Sequence, residues 1–237
     1  ILILVFVGEL VAGGSTRTDV LARMGANMAD RVLAGEWWRL LSSVFLHGGM
    51  AHIGCNAYVL VVLGGFCERL IGSSRYTIIL VLSGIGGSLA SVLLSGASMS
   101  VGASGALWGL FGASGALAYW PRGMIPSAMI PRLKKSVLIN LGINLAISFV
   151  PQIDVWAHLG GGMVGAVLVG TGVLFWGKQT SSVRPSLAPM MLAALLSALA
   201  LGCLGIALTQ GNPWGPRSWE WMASQVGETP FRVELPK

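Results

Sequence analysis

Charge is what this sequence has least of: Asp, Glu, Lys and Arg make up only 10% of its 237 residues. A soluble domain carries about 25%, so the polar shell that would cover a water-facing core is missing. Cysteine is scarce too. Cys55, Cys67 and Cys203 lie in apolar stretches with no metal-type spacing, which argues against a disulfide framework or a zinc site and assigns them to the core as small residues. No basic segment precedes the apolar start, so no cleavable signal peptide is recognised. Nor is there an internal repeat or a pair of interrupted helices of the transporter kind.

What is there instead is 54% hydrophobic residues, a mean hydropathy of +0.75 and 34 glycines. Such a chain is an all-α polytopic membrane protein, with the lipid bilayer as its solvent. No polar block is large enough for a second domain. The net charge of +6 raises nucleic acid as a partner, but the basic residues sit in short loops between apolar spans, where they set topology instead. No nucleic-acid partner is expected.

Ile1 to Gly13 is too short for a span of about 20 residues, so the first helix is expected to be truncated at its start. Gly14 to Leu40 mixes charges with the pair Trp37-Trp38, which suits a loop of short interfacial helices with indoles at headgroup level. Apolar spans follow at Met50–Cys67, Tyr76–Leu94, Ser104–Tyr119, Ser136–Val150, Trp156–Trp176 and Leu187–Leu208, for seven in all. The residues from Thr209 to Lys237 read as an extramembrane tail rich in Pro and Trp. The second, fourth and sixth loops hold Arg69, Arg75, Arg122, Arg132, Lys134, Lys135, Lys178 and Arg184, whereas the third and fifth hold no Lys or Arg. By the positive-inside rule the even loops are cytoplasmic, and the tail and the loop before Ser104 face the other side.

Polar residues inside such spans are costly and mark candidate function. Ser104 stands between Gly102 and Gly105 at the mouth of a span, where no flanking side chain blocks its hydroxyl. His52 and Asn56 are four residues apart, about 40° around a helix, and form a pair of donors on one face. His47 is read as a loop residue that packs against or caps that helix. His158 opens the sixth span, whose face continues as Gly161, Gly162 and Gly165. Gly105, Gly109 and Ala113 form a matching stripe, so two small-residue faces can bring Ser104 and His158 within hydrogen-bond reach. Trp108 lies one turn below Ser104 on the same face, suited to stack on His158 or simply to pack. Ser114 repeats the tetrapeptide about 280° and about 15 Å further along and is read as a packing serine. Asp154 precedes His158 by four residues, but it falls in a turn and is a weak triad candidate. Glu68 is read as a structural hydrogen-bond acceptor.

Together these residues resemble the rhomboid intramembrane serine proteases. The resemblance rests on Trp38-Arg39, His47…His52…Asn56, Gly64-Gly65…Glu68…Gly72-Ser73, Gly102-Ala103-Ser104-Gly105 and Ala157-His158…Gly161…Gly165. It implies a six-helix rhomboid core over residues 1–178, followed by an additional transmembrane helix at 187–208 and the tail at 209–237. It further implies Ser104 as nucleophile, His158 as general base and acid, and His52 and Asn56 joining the Ser104 amide in an oxyanion hole. Gly102, Gly105, His47 and the aromatic Trp108 support them. No cofactor or metal is implied. The expected partners are transmembrane protein substrates, cleaved in or near their spans. The expected setting is a bacterial inner membrane with the site open to the non-cytoplasmic side. The alternative is a catalytically silent rhomboid-like chaperone or trafficking factor.

Overall fold

A sequence whose apolar residues run without interruption must satisfy its backbone within each segment, and in lipid that leaves helices. The computed structural model describes residues 1–95, 99–121, 123–150, 153–175 and 187–210. Among these residues there is no β-strand, only an isolated bridge between Asn27 and Ser100. The helices are α1 (Leu2–Val11), α2 (Thr18–Arg23), α3 (Ala29–Leu33), α4 (Arg39–Ser42), α5 (Met50–Val59), α6 (Gly65–Ile71), α7 (Ser73–Ala90), α8 (Ser104–Tyr119), α9 (Ile130–Ser148), α10 (Val155–Gly170) and α11 (Leu187–Gln210). A π-turn at Leu60–Gly64 joins α5 to α6 as one helix, and another at Ser91–Ser95 extends α7. Met50–Ile71, Ser73–Ser95 and Leu187–Thr209 are long and apolar enough to cross a membrane, and Leu2–Val11 and Val155–Gly170 are shorter apolar helices.

α8 is the hub. Leu107, Leu110, Ala113 and Leu117 are buried, together with Gly105, Trp108 and Ser114, and a helix apolar on every side has to be surrounded. Its close neighbours are α7 and α10, and all three meet through glycine. A β-carbon at Gly161 would strike the Gly105 carbonyl, one at Gly165 the Gly109 carbonyl, and one at Gly112 the Gly162 carbonyl. The two stripes seen in the sequence therefore do face each other. α7 joins them, since a β-carbon at Gly87 would lie 2.6 Å from the Ala157 carbonyl oxygen and 3.2 Å from Gly105 Cα.

Several expectations change. α9 begins at Ile130 rather than Ser136, because Pro131 is accommodated in a first helical turn, where its missing N–H is not needed. Arg132, Lys134 and Lys135 accordingly sit on α9 and not in the loop before it. Trp38 is not at headgroup level: it is buried with Leu41 under Ala200, Cys203 and Ala207 of α11, with the Arg39 guanidinium 4.6 Å from its ring centre. Trp37 is the exposed member of the pair. Cys67 and Cys203 are buried, but Cys55 is exposed on α5 and is no core residue. No hydrogen bond reaches the Glu68 carboxylate among the described residues, so its reading as an acceptor does not hold there. The tail expected at 209–237 lies, beyond Gln210, outside the described residues, as does the end of the sixth span at Trp176.

Candidate active site

The first loop is the scaffold of the site. Arg39 is only 5% exposed and donates through Nη1 to the carbonyls of Ala22 (2.7 Å) and Ala26 (3.0 Å), where α2 ends, while its Nε donates to Glu36 at 2.6 Å. Those carbonyls have no partner within the short helix, and a guanidinium with fixed donors suits them. Ser42 donates to the Gly25 carbonyl at 2.8 Å. So braced, the loop holds the segment before Ser104: Asn27 and Ser100 exchange backbone bonds of 3.0 and 2.8 Å, and Gly102 N–H donates to the Ser43 carbonyl at 3.0 Å. Asn27 Nδ2 ties the same loop to the Ser88 carbonyl of α7 at 2.9 Å.

Ser104 is half-buried and is the first residue of α8, so its amide N–H is among the four that a helix start leaves without an intrahelical partner. Gly102 has φ +125°, a backbone that disfavours a side chain, and a β-carbon there would lie 2.6 Å from His52 Nε2 and 3.6 Å from Asn56 Nδ2. Both donor atoms of the His52–Asn56 pair thus face the glycine two residues before the serine. Asn56 Nδ2 is buried without a hydrogen-bond partner. His52 has its tautomer set by the loop: Gly48 N–H donates to Nδ1 at 3.3 Å, so in the neutral ring Nε2 carries the proton.

On the other side, His158 lies in the first turn of α10, 7% exposed, and Trp108 stacks on it with ring centres 5.2 Å apart and planes 20° from parallel. The expected hydrogen bond between Ser104 and His158 is not made, and the Ser104 hydroxyl is unengaged among the described residues. Such bonds tighten when substrate binds. Asp154 is an N-cap: its Oδ1 accepts from Ala157 N–H at 3.0 Å. Ser114 is buried against Cys67 Sγ at 3.3 Å, as a packing serine should be.

His47 is a buried loop residue but not a cap, since α5 begins after Gly49 with no side-chain bond. Its ring packs edge-on against His52 with centres 5.1 Å apart. Burial, with the neighbouring His52, pushes its pKa down to about 4, so it stays neutral at ordinary pH. Its backbone N–H donates to Glu9 Oε1 of α1 at 3.0 Å. Sequence reasoning passed over Glu9, although a lone acid in an apolar run was the available signal. It also passed over Ser148, whose hydroxyl lies 2.6 Å from His158 Nδ1. No three His, Cys, Asp or Glu side chains gather as metal ligands would among the described residues.

A family model for the Rhomboid domain matches residues 34–175. The rhomboid protease GluP of Bacillus subtilis is 37% identical over 206 residues, covering 85% of this chain and 38% of that protein. RHOMBOID-like protein 6, mitochondrial, of Arabidopsis thaliana is 38% identical over 154 residues, 64% of this chain and 49% of its own length. The rhomboid protease AarA of Providencia stuartii is 32% identical over 176 residues, 65% of this chain and 62% of its own. The chain spans less than two thirds of each of these relatives. With the family model matching more than half of it, across both the serine-bearing and the histidine-bearing helices, the chain belongs to the rhomboid family.

Proposed function

We propose that this chain is an intramembrane serine protease that hydrolyses peptide bonds in or near the transmembrane segments of other membrane proteins. The observation that carries the reading is the surroundings of Ser104: two unspent donors against Gly102 on one side, and His158 stacked on Trp108 on the other.

The chemistry follows from those groups. His158 takes the Ser104 proton while Oγ attacks the substrate carbonyl carbon, and the electron pair of the C=O bond moves onto oxygen. The Ser104 amide, His52 Nε2–H and Asn56 Nδ2–H donate to that oxyanion, in a water-poor site where such bonds count most. His158 then gives its proton to the leaving amine as the C–N bond breaks. Water, deprotonated by the same imidazole, attacks the acyl ester and releases Ser104.

The seven-span reading belongs to this proposal, with a six-helix core over 1–178, α11 as an added span and the tail outside. So does a bacterial cell membrane with the site on the non-cytoplasmic side, supported by the loop charges and by the bacterial relatives. The test is covalent labelling of the purified chain by a fluorophosphonate, alongside cleavage of a transmembrane substrate. Ser104→Ala and His158→Ala should each abolish both, and the double variant should be no worse than either, since the two act as a unit. A folded wild-type chain that neither labels nor cleaves would leave the silent-chaperone reading in its place.

A further inference from the structure

Ser148 ends α9, and no motif points to it. Its Oγ lies 2.6 Å from His158 Nδ1 and 2.8 Å from the Asn144 carbonyl oxygen one turn earlier. Ser148 is 2% exposed and His158 7% exposed, so bulk water has little access to either bond. A serine hydroxyl carries one proton, and a carbonyl oxygen can only accept. The proton of Ser148 therefore goes to Asn144, and Oγ is left as an acceptor towards the ring. For both short contacts to be hydrogen bonds, Nδ1 must hold the ring proton.

We propose that Ser148 is the positioning residue of His158, holding its imidazole as the Nδ1–H tautomer so that the Nε2 lone pair is free to take the Ser104 proton. This rests on the reading of Ser104 and His158 as nucleophile and base. The opposite tautomer would carry a proton on Nε2 and could not act as the base. The two imidazoles flanking Ser104 are thus set oppositely by their neighbours. Gly48 N–H makes Nε2 of His52 a donor, and Ser148 Oγ makes Nε2 of His158 an acceptor. When His158 becomes an imidazolium, its Nδ1–H bond to Ser148 becomes charge-assisted and strengthens. A neutral hydroxyl here fills the orienting place that a carboxylate holds in a triad. Asp154 does not fill it, being occupied with the Ala157 amide.

The experiment uses the full chain in detergent with a fluorophosphonate as probe, separating the maximal inactivation rate from the half-saturating concentration. Ser148→Ala should lower the maximal rate about 10- to 100-fold, the range of a lost bond to a charged group, and leave the half-saturating concentration unchanged. Ser148→Thr keeps a hydroxyl that can bond back to the Asn144 carbonyl and should restore most of the rate. The second measurement needs no change at Ser148. The chain has three histidines, so ¹⁵N-histidine spectra assigned with His158→Ala should show Nδ1 protonated and Nε2 bare in the neutral ring. A wild-type rate in Ser148→Ala, or a proton on Nε2 of His158, overturns the proposal. If instead Ser104→Ala still labels, the underlying catalytic reading has failed, and that result is distinct from a failure of Ser148 alone.

Discussion

Ser104 and Ser114 sit in the same Gly-Ala-Ser-Gly tetrapeptide, and their surroundings separate them. Ser104 is half-buried at the first turn of α8 with its hydroxyl unengaged, while Ser114 is 2% exposed against the Cys67 thiol. Chemistry needs a reachable hydroxyl with a base nearby, and Ser114 has neither. Ser114→Ala should therefore leave turnover of a transmembrane substrate nearly intact. His52→Ala and Asn56→Ala each remove one donor to the oxyanion, a loss of about 10²- to 10³-fold in kcat, with residual activity above that of Ser104→Ala. Initial-rate kinetics on folded variants checks the ranking. Equal, complete loss in all of them would mean that His52 and Asn56 do more than donate.

Among the elements, the α8–α10 crossing decides where His158 stands. Its helices approach so closely that β-carbons at Gly161 and Gly165 would run into the carbonyls of Gly105 and Gly109. Backbone oxygens in a helix have nowhere to go, so Gly161→Ala or Gly165→Ala should push the helices apart and cost about 1–3 kcal/mol. His158 would move off Trp108, and labelling by a fluorophosphonate should fall with stability. Gly202 on α11 has open space around its β-carbon position, and alanine there gains helix propensity of up to about 1 kcal/mol. Thermal unfolding in detergent should show the first two variants lowered and Gly202→Ala unchanged or raised. If Gly161→Ala melted like the wild type, the close approach of these helices would not be what holds the site. α11 has its own place in this packing, covering Trp38 and Leu41 of the first loop and Ile78 of α7.

For the whole molecule the open question is sidedness, and it follows from charge in the loops. In a variant without Cys55, Cys67 and Cys203, a cysteine in place of the exposed Ala34 of the first loop should react with an impermeant thiol reagent added to intact cells. One in place of the exposed Ala128, in the basic fourth loop, should be protected until the membrane is opened. The reverse pattern would turn the site to the cytoplasm.

Composition and spacing alone determined the solvent, the helical class, the start of α8 at Ser104 and the facing glycine stripes. These are properties of single segments: apolar length, a period of 3.6 residues, and a polar group where none is cheap. Tertiary structure decided which polar atoms meet. Ser148 reaches a histidine ten positions away on another helix, Glu9 of α1 holds a loop amide 38 positions on, and Arg39 closes on carbonyls 13 and 17 positions back. Such pairs leave no periodic trace in a sequence, because a hydrogen bond depends on distance and angle between atoms that only the packing of separate helices brings together.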